Sequence, residues 1–120
     1  MELSAVILAA GVGSRYGGLK QLDAVGPSGE AIIDYSAYDA ARAGFQRAVL
    51  VVRPETEAEF RDTVGRRIGS RLAVDYVHQT LELPAGIPCP TAVRHKPWGT
   101  GHAVLAARPA VSGRFAVINA

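Results

Sequence analysis

Apolar residues fall along this chain in two rhythms. Leu3 to Ala9 (Leu-Ser-Ala-Val-Ile-Leu-Ala) and Arg47 to Val52 (Arg-Ala-Val-Leu-Val-Val) are short, nearly unbroken apolar runs, the pattern of strands buried on both faces. Leu72 to Val77 and Phe115 to Ala120 read as a third and a fourth strand. Between the strands the period lengthens to that of a helix. Asp34 is placed as the N-cap of a first helix, with Tyr38, Ala41 and Phe45 at helical spacing and Gly44 near its C-terminal end. Pro54 opens a second helix running to Ile68, in which Phe60, Val64 and Ile68 form an apolar stripe. Glu55, Glu57 and Glu59 favour its N-terminal end and Arg66-Arg67 its C-terminal end, so both groups read as helix electrostatics. Gly99-Thr100 opens a last helix, capped by Thr100, that must stop near Arg108 because Pro109 follows.

Strands that alternate with helices predict a parallel α/β sheet. Residues 1–120 show no internal repeat and no interdomain linker, and read as a portion of a single domain. A final apolar strand with nothing after it to cover it predicts that the chain is the first half of a larger domain. Its open edge predicts self-association of the isolated chain; the oligomeric state itself stays open.

Composition narrows the class. At 120 residues and 12.6 kDa, 48% hydrophobic and 20% charged, the chain suits one globular core and is too apolar for intrinsic disorder. Thirteen basic against eleven acidic residues give a net charge of +2, too little for the broad positive field that duplex nucleic acid demands. Phosphate binding is therefore expected to be local. Cys89 stands alone, and His78, His95 and His102 lack metal-ligand spacing. No window approaches the ~20 apolar residues that span a bilayer, and Met1-Glu2-Leu3-Ser4 lacks the basic stretch of a signal peptide. No membrane partner and a cytoplasmic location are the expectation.

Two constellations carry candidate chemistry. The first is the loop from Ala10 to Lys20, with Gly11, Gly13, Gly17 and Gly18, followed by a tight turn at Gly26-Pro27-Ser28-Gly29. The dinucleotide fingerprint fails because Tyr16 stands where its third glycine belongs and no helix starts until Asp34, which also removes an NADP site at Arg53. The Walker-A pattern fails because Leu19 displaces the lysine and Gln21 replaces the hydroxyl residue. What is left is a loop whose backbone N–H groups, with Arg15 and Lys20, can cradle a triphosphate. The second constellation is Lys96-Pro97-Trp98-Gly99-Thr100-Gly101-His102-Ala103. Trp98 and Pro97 are expected to fix this loop, Lys96 is a solvated side chain or a phosphate contact, and His102 receives no catalytic role.

Leu8-Ala9-Ala10-Gly11-Val12-Gly13-Ser14-Arg15, followed by Lys20, resembles the signature loop of the nucleotidyltransferase superfamily that contains the sugar-1-phosphate nucleotidylyltransferases. Arg15-Tyr16-Gly17-Gly18-Leu19-Lys20-Gln21 is also similar to the shorter loops of methylerythritol phosphate cytidylyltransferases and molybdenum-cofactor guanylyltransferases. Gly99-Thr100-Gly101-His102-Ala103 resembles the base-recognition turn of N-acetylglucosamine-1-phosphate uridylyltransferases.

The resemblance implies a Rossmann-like, doubly wound, mainly parallel sheet in the order 3-2-1-4, with helices on both faces, here ending after the fourth strand. It implies transfer of a nucleotidyl group from a nucleoside triphosphate to a sugar phosphate, with release of pyrophosphate. Arg15 would hold the leaving pyrophosphate and Lys20 the developing charge, while Ala10, Gly11 and Gly13 line the phosphates. Gln79, with Gly99 and Thr100, would read the base; an amide can donate and accept at once, which suits a pyrimidine edge. The family's Mg2+ is held by an aspartate that would follow Ala120, so no metal ligand is assigned within the chain and the isolated chain is expected to turn over little or not at all. A non-catalytic nucleotide-binding or regulatory module is the alternative. The base and the acceptor stay open.

Overall fold

The computed structural model describes residues 2–11, 20–83, 85–88 and 98–120. The four apolar runs form β1 (Leu3–Leu8), β2 (Arg47–Val52), β3 (Ala73–His78) and β4 (Arg114–Asn119). All pair in parallel, in the order β3-β2-β1-β4. β1 and β2 are central, and Ala5, Val6, Ile7 and the whole of Ala48–Val52 are fully buried, which is why both read as continuous apolar runs.

Strand alternation sends Ile7, Ala48, Leu50 and Val52 to one face and Val6, Val49 and Val51 to the other. The first face is covered by α1 (Ile32–Arg42) and by a helical run made of a short 3₁₀ turn (Pro54–Thr56), α2 (Glu57–Phe60), a π-helical turn (Arg61–Gly65) and α3 (Arg66–Ile68). Phe60, Val64 and Ile68 all enter this core, beside Ile33 and Ala37. The second face is covered by α4 (Thr100–Ala106), through Ala103 and Ala107. Helices on both faces of a parallel sheet make the fold doubly wound, as expected.

Two local expectations are corrected. The first helix begins at Ile32 with Ala31 as its N-cap. Asp34 instead sits in the first turn, where its carboxylate accepts from the Ala31 N–H at 2.8 Å, the returning half of a capping box. Tyr38 faces outward, 44% exposed, with the Arg71 guanidinium 4.8 Å and that of Arg42 5.7 Å from its ring centroid. The inward stripe is Ile33, Ala37 and Ala40. Gly44, by contrast, ends the helix with φ +95°, a conformation that favours glycine. The turn at 26–29 also forms, closed by Gly29 N–H donating to Gly26 O at 3.2 Å.

β4 lies at one edge of the sheet. Phe115 and Val117, which the register places on the α4 face, are 50% and 42% exposed. No helix among the described residues is long and apolar enough to cross a membrane.

Candidate functional site

Parallel strands bring their carboxyl ends to a common rim. Ala9 N–H donates to Val51 O at 2.8 Å, Gln79 N–H to Val52 O at 2.9 Å and Ala120 N–H to Leu8 O at 3.3 Å, so the ladder carries the chain past the last strand residues before it turns away. Ala10 is buried and belongs to the same apolar cluster as Val51 and Ala103 of α4. Gly11 and Gln79 therefore end up at one rim, separated by two inter-strand steps of about 4.8 Å each. That span, roughly 10 Å, suits a ligand with a charged end and a planar end.

At the first end, Gly11 O accepts from Gln21 Nε2 at 3.1 Å. Gln21 is buried, and its Oε1 has no partner among the described residues. Lys20 opens the short 3₁₀ turn Lys20–Leu22 and is exposed, and its carbonyl accepts from Asp23 N–H at 3.1 Å. Lys20 is thus a solvent-exposed residue, next in sequence to the Gln21 that contacts Gly11. Gly13 and Arg15, the other predicted phosphate contacts, lie outside the described residues.

At the second end, Gln79 is 4% exposed and its amide nitrogen lies 2.6 Å from Trp98 O, 3.3 Å from Gly99 O and 3.2 Å from His102 Nδ1. Trp98 Nε1 donates to Leu81 O at 2.8 Å, and His102 Nε2 lies 2.8 Å from Glu82 O. Residues 79–82 and 98–102 are laced together by these bonds, and Trp98 does fix its loop. Thr100 is not the cap of α4: Gly99 occupies that position, and no side chain caps it. A Cβ added at Gly99 or Gly101 would meet nothing within 4 Å. Among the described residues both glycines face open space.

Two further groups border the rim. Arg53 follows β2, between the two ends; its Nη1 lies 3.4 Å from Glu55 Oε1, and its Nε is buried without a partner among the described residues. Its place after β2 suggests only an NADP phosphate, and a buried N–H with no partner among the described residues is a signal that spacing cannot give. Glu57 accepts from Arg61 Nε and pairs with His78 Nε2, both at 2.6 Å. The Arg61 hydrogen bond first, and that of His78 second, hold the Glu57 carboxyl below the ordinary glutamate range.

Open parallel α/β sheets bind their ligands outside the carboxyl ends of the strands, where Gly11 and the Gln79 amide both lie here. Residues 5–79 match the family of MobA-like NTP transferase domains, and the chain belongs to that family. Comparison with curated proteins by sequence gives no match. Among solved structures, a UDP-glucose pyrophosphorylase complexed with UDP-glucose superposes with a TM-score of 0.65 at 19% identity, over 99% of this chain and 45% of that one. A UDP-glucose pyrophosphorylase from Acinetobacter baumannii gives 0.59 at 24% identity, over 98% and 45%. A protein of Mycobacterium tuberculosis gives 0.57 at 20%, over 99% and 52%. These likenesses establish a shared Rossmann-like fold. The chain spans about half the length of these neighbours, 45% to 52%.

Proposed function

We propose that this chain supplies the nucleotide-binding half of an enzyme that transfers a nucleotidyl group from a nucleoside triphosphate to a sugar 1-phosphate. In that reaction an acceptor phosphate oxygen bonds to the α-phosphorus, the bond from the α-phosphorus to its bridging oxygen breaks, and the electron pair leaves with pyrophosphate. Such a step is accelerated chiefly by alignment and charge neutralisation. Ala10, Gly11 and Gly13 would bring backbone close to the phosphates, Arg15 would hold the departing pyrophosphate and Lys20 would balance the developing charge. Gln79 and the Gly99-Thr100 turn would hold the base. The observation that carries this reading is the convergence of Gly11 and of the Gln79–Gly99 clamp on one rim of the sheet from distant parts of the sequence.

Among the described residues no three His, Cys, Asp or Glu side chains converge. Asn119 and Ala120, at the carboxyl end of β4, offer no carboxylate for a hard cation such as Mg2+. The described residues thus do not fit a Mg2+ site.

The same observation favours a second reading, a nucleotide-binding module without turnover. Two measurements test the two readings. Calorimetric titration with UTP, CTP, GTP and ATP should show binding that Lys20→Ala weakens by about tenfold. Exchange of labelled pyrophosphate into the triphosphate by the full-length protein, with sugar 1-phosphates as acceptors, separates the enzyme from the module. Absence of binding at millimolar nucleotide would sink both readings.

A further inference from the structure

Gln79 has a two-hydrogen donor at one end of its amide and a two-lone-pair acceptor at the other. Three acceptors crowd the nitrogen end. Trp98 O takes one hydrogen at 2.6 Å, while His102 Nδ1 at 3.2 Å and Gly99 O at 3.3 Å share the other. Carbonyl oxygens only accept, so turning the amide over would set its oxygen against the Trp98 carbonyl, lone pair to lone pair. The tautomer of His102 is fixed by the same logic. Glu82 O, 2.8 Å from Nε2, can only accept, so Nε2 carries the proton and Nδ1 turns its lone pair to Gln79.

This corrects the sequence reading in one respect. Gln79 cannot donate to and accept from a base at once, because its donors are committed to its own chain. Its oxygen is the group left to offer.

Resting on the assignment of this rim to a nucleotide, we propose that His102 is a positioning residue for Gln79. By occupying the second amide hydrogen, it makes Gln79 an acceptor only, and so selects bases with a ring N–H, as in uracil, thymine and guanine, over those with a bare ring nitrogen, as in cytosine and adenine. Against the latter, the amide oxygen would meet another lone pair. Without His102, the second hydrogen keeps only the 3.3 Å contact to Gly99 O and becomes available to the wrong base.

The test is nucleotide binding by the full chain, followed by calorimetry and by the fluorescence of Trp98, the sole tryptophan. Wild type should bind the N–H member of its preferred pair, UTP over CTP or GTP over ATP, at least about tenfold more tightly, the cost of leaving a buried polar group mispaired. His102→Leu should compress that ratio to about threefold or less, and the ratio rather than the absolute affinity is the readout. His102→Asn, with an acceptor oxygen near the place of Nδ1, should restore it. A reader of shape alone would show no such rescue. The 15N shifts of the His102 ring in wild type give a readout that needs no variant to fold: a proton on Nε2 is expected, and a proton on Nδ1 would overturn the proposal. Equal ratios in wild type and His102→Leu, or a preference for CTP or ATP, would overturn it while leaving the nucleotide site standing. Failure of wild type to bind any of the four nucleotides would remove both.

Discussion

Gly65 closes the π-helical turn and lies against Tyr76 of β3. An alanine there would bring its Cβ to 3.2 Å from Tyr76 Cζ and 3.0 Å from Phe60 O, with the phenol oxygen nearer than any real carbon–oxygen contact. The ring cannot swing aside without loss, because the Arg61 guanidinium sits 4.2 Å from its centroid, a contact worth about 0.5–1 kcal/mol. Two terms oppose each other in Gly65→Ala. Alanine gains about 1 kcal/mol over glycine inside a helix, whereas overpacking costs about 1–3 kcal/mol. The overlap is deep enough that the second should win, for a net loss of about 1 kcal/mol and a fall in Tm of roughly 3–6 °C. Removing the hydroxyl with Tyr76→Phe relieves the tightest contact. In that background Gly65→Ala should be neutral to within about 0.5 kcal/mol, a coupling energy near 1 kcal/mol. Urea denaturation of the four proteins measures this cycle. If Gly65→Ala stabilises the wild-type chain, or costs the same with Phe at 76, the steric argument is wrong.

Asp34 accepts from Ala31 N–H at 2.8 Å and from Arg67 Nε and Nη2 at 2.9 and 2.8 Å. Asp34→Ala should therefore cost about 1–2 kcal/mol, and Asp34→Asn, which keeps the cap acceptor, roughly half as much, by urea denaturation. Glu57, whose carboxyl is held below its ordinary range by Arg61 and then by His78, contributes stability that is full above the unfolded glutamate value of about 4.3 and is lost as pH falls through its lower folded value. Glu57→Gln should flatten that part of the acid limb, measured as Tm from pH 7 down to pH 3, and an unchanged limb would count against the pairing.

The parts of the fold governed by local apolar rhythm were legible. β1 and β2 read as buried because every neighbour on both faces is protein, and Phe60, Val64 and Ile68 announced the helix face they occupy. Boundaries set by single polar contacts were not. An acid near a helix start looks the same whether it caps from outside or reaches back from the first turn, and Asp34 does the latter. Thr100 looked like a cap because threonine favours that place, yet Gly99 holds it. Tyr38 looked inward by spacing, but alanines fill the core stripe and leave Tyr38 to the arginines. In the site, Gln79 was legible as a residue and not as a chemical group, since the carbonyls that consume its donors come from a loop about twenty residues away, a distance that no motif spacing reports.

That contact also governs where α4 sits. Below β1 and β2 on this face, the helix meets the sheet through Ala103 and Ala107 alone among its buried residues, and two methyl groups bury too little area to fix a helix of seven residues, Thr100–Ala106. On the opposite face Phe60, Val64, Ile68 and Ile33 supply that area. The position of Gly99-Thr100 is therefore set from the loop side, by Gln79 gripping Trp98 O, by Trp98 Nε1 on Leu81 O and by His102 on Glu82 O. Small alanines let the helix approach the strands closely; polar bonds then choose its register. A rim organised in this way couples two functions in one side chain, because the amide that presents an acceptor to a ligand is also the tether of the helix beside it. Replacing Gln79 by leucine would remove both at once, whereas His102→Leu leaves the amide's bond to Trp98 O in place and frees only the hydrogen that faces His102.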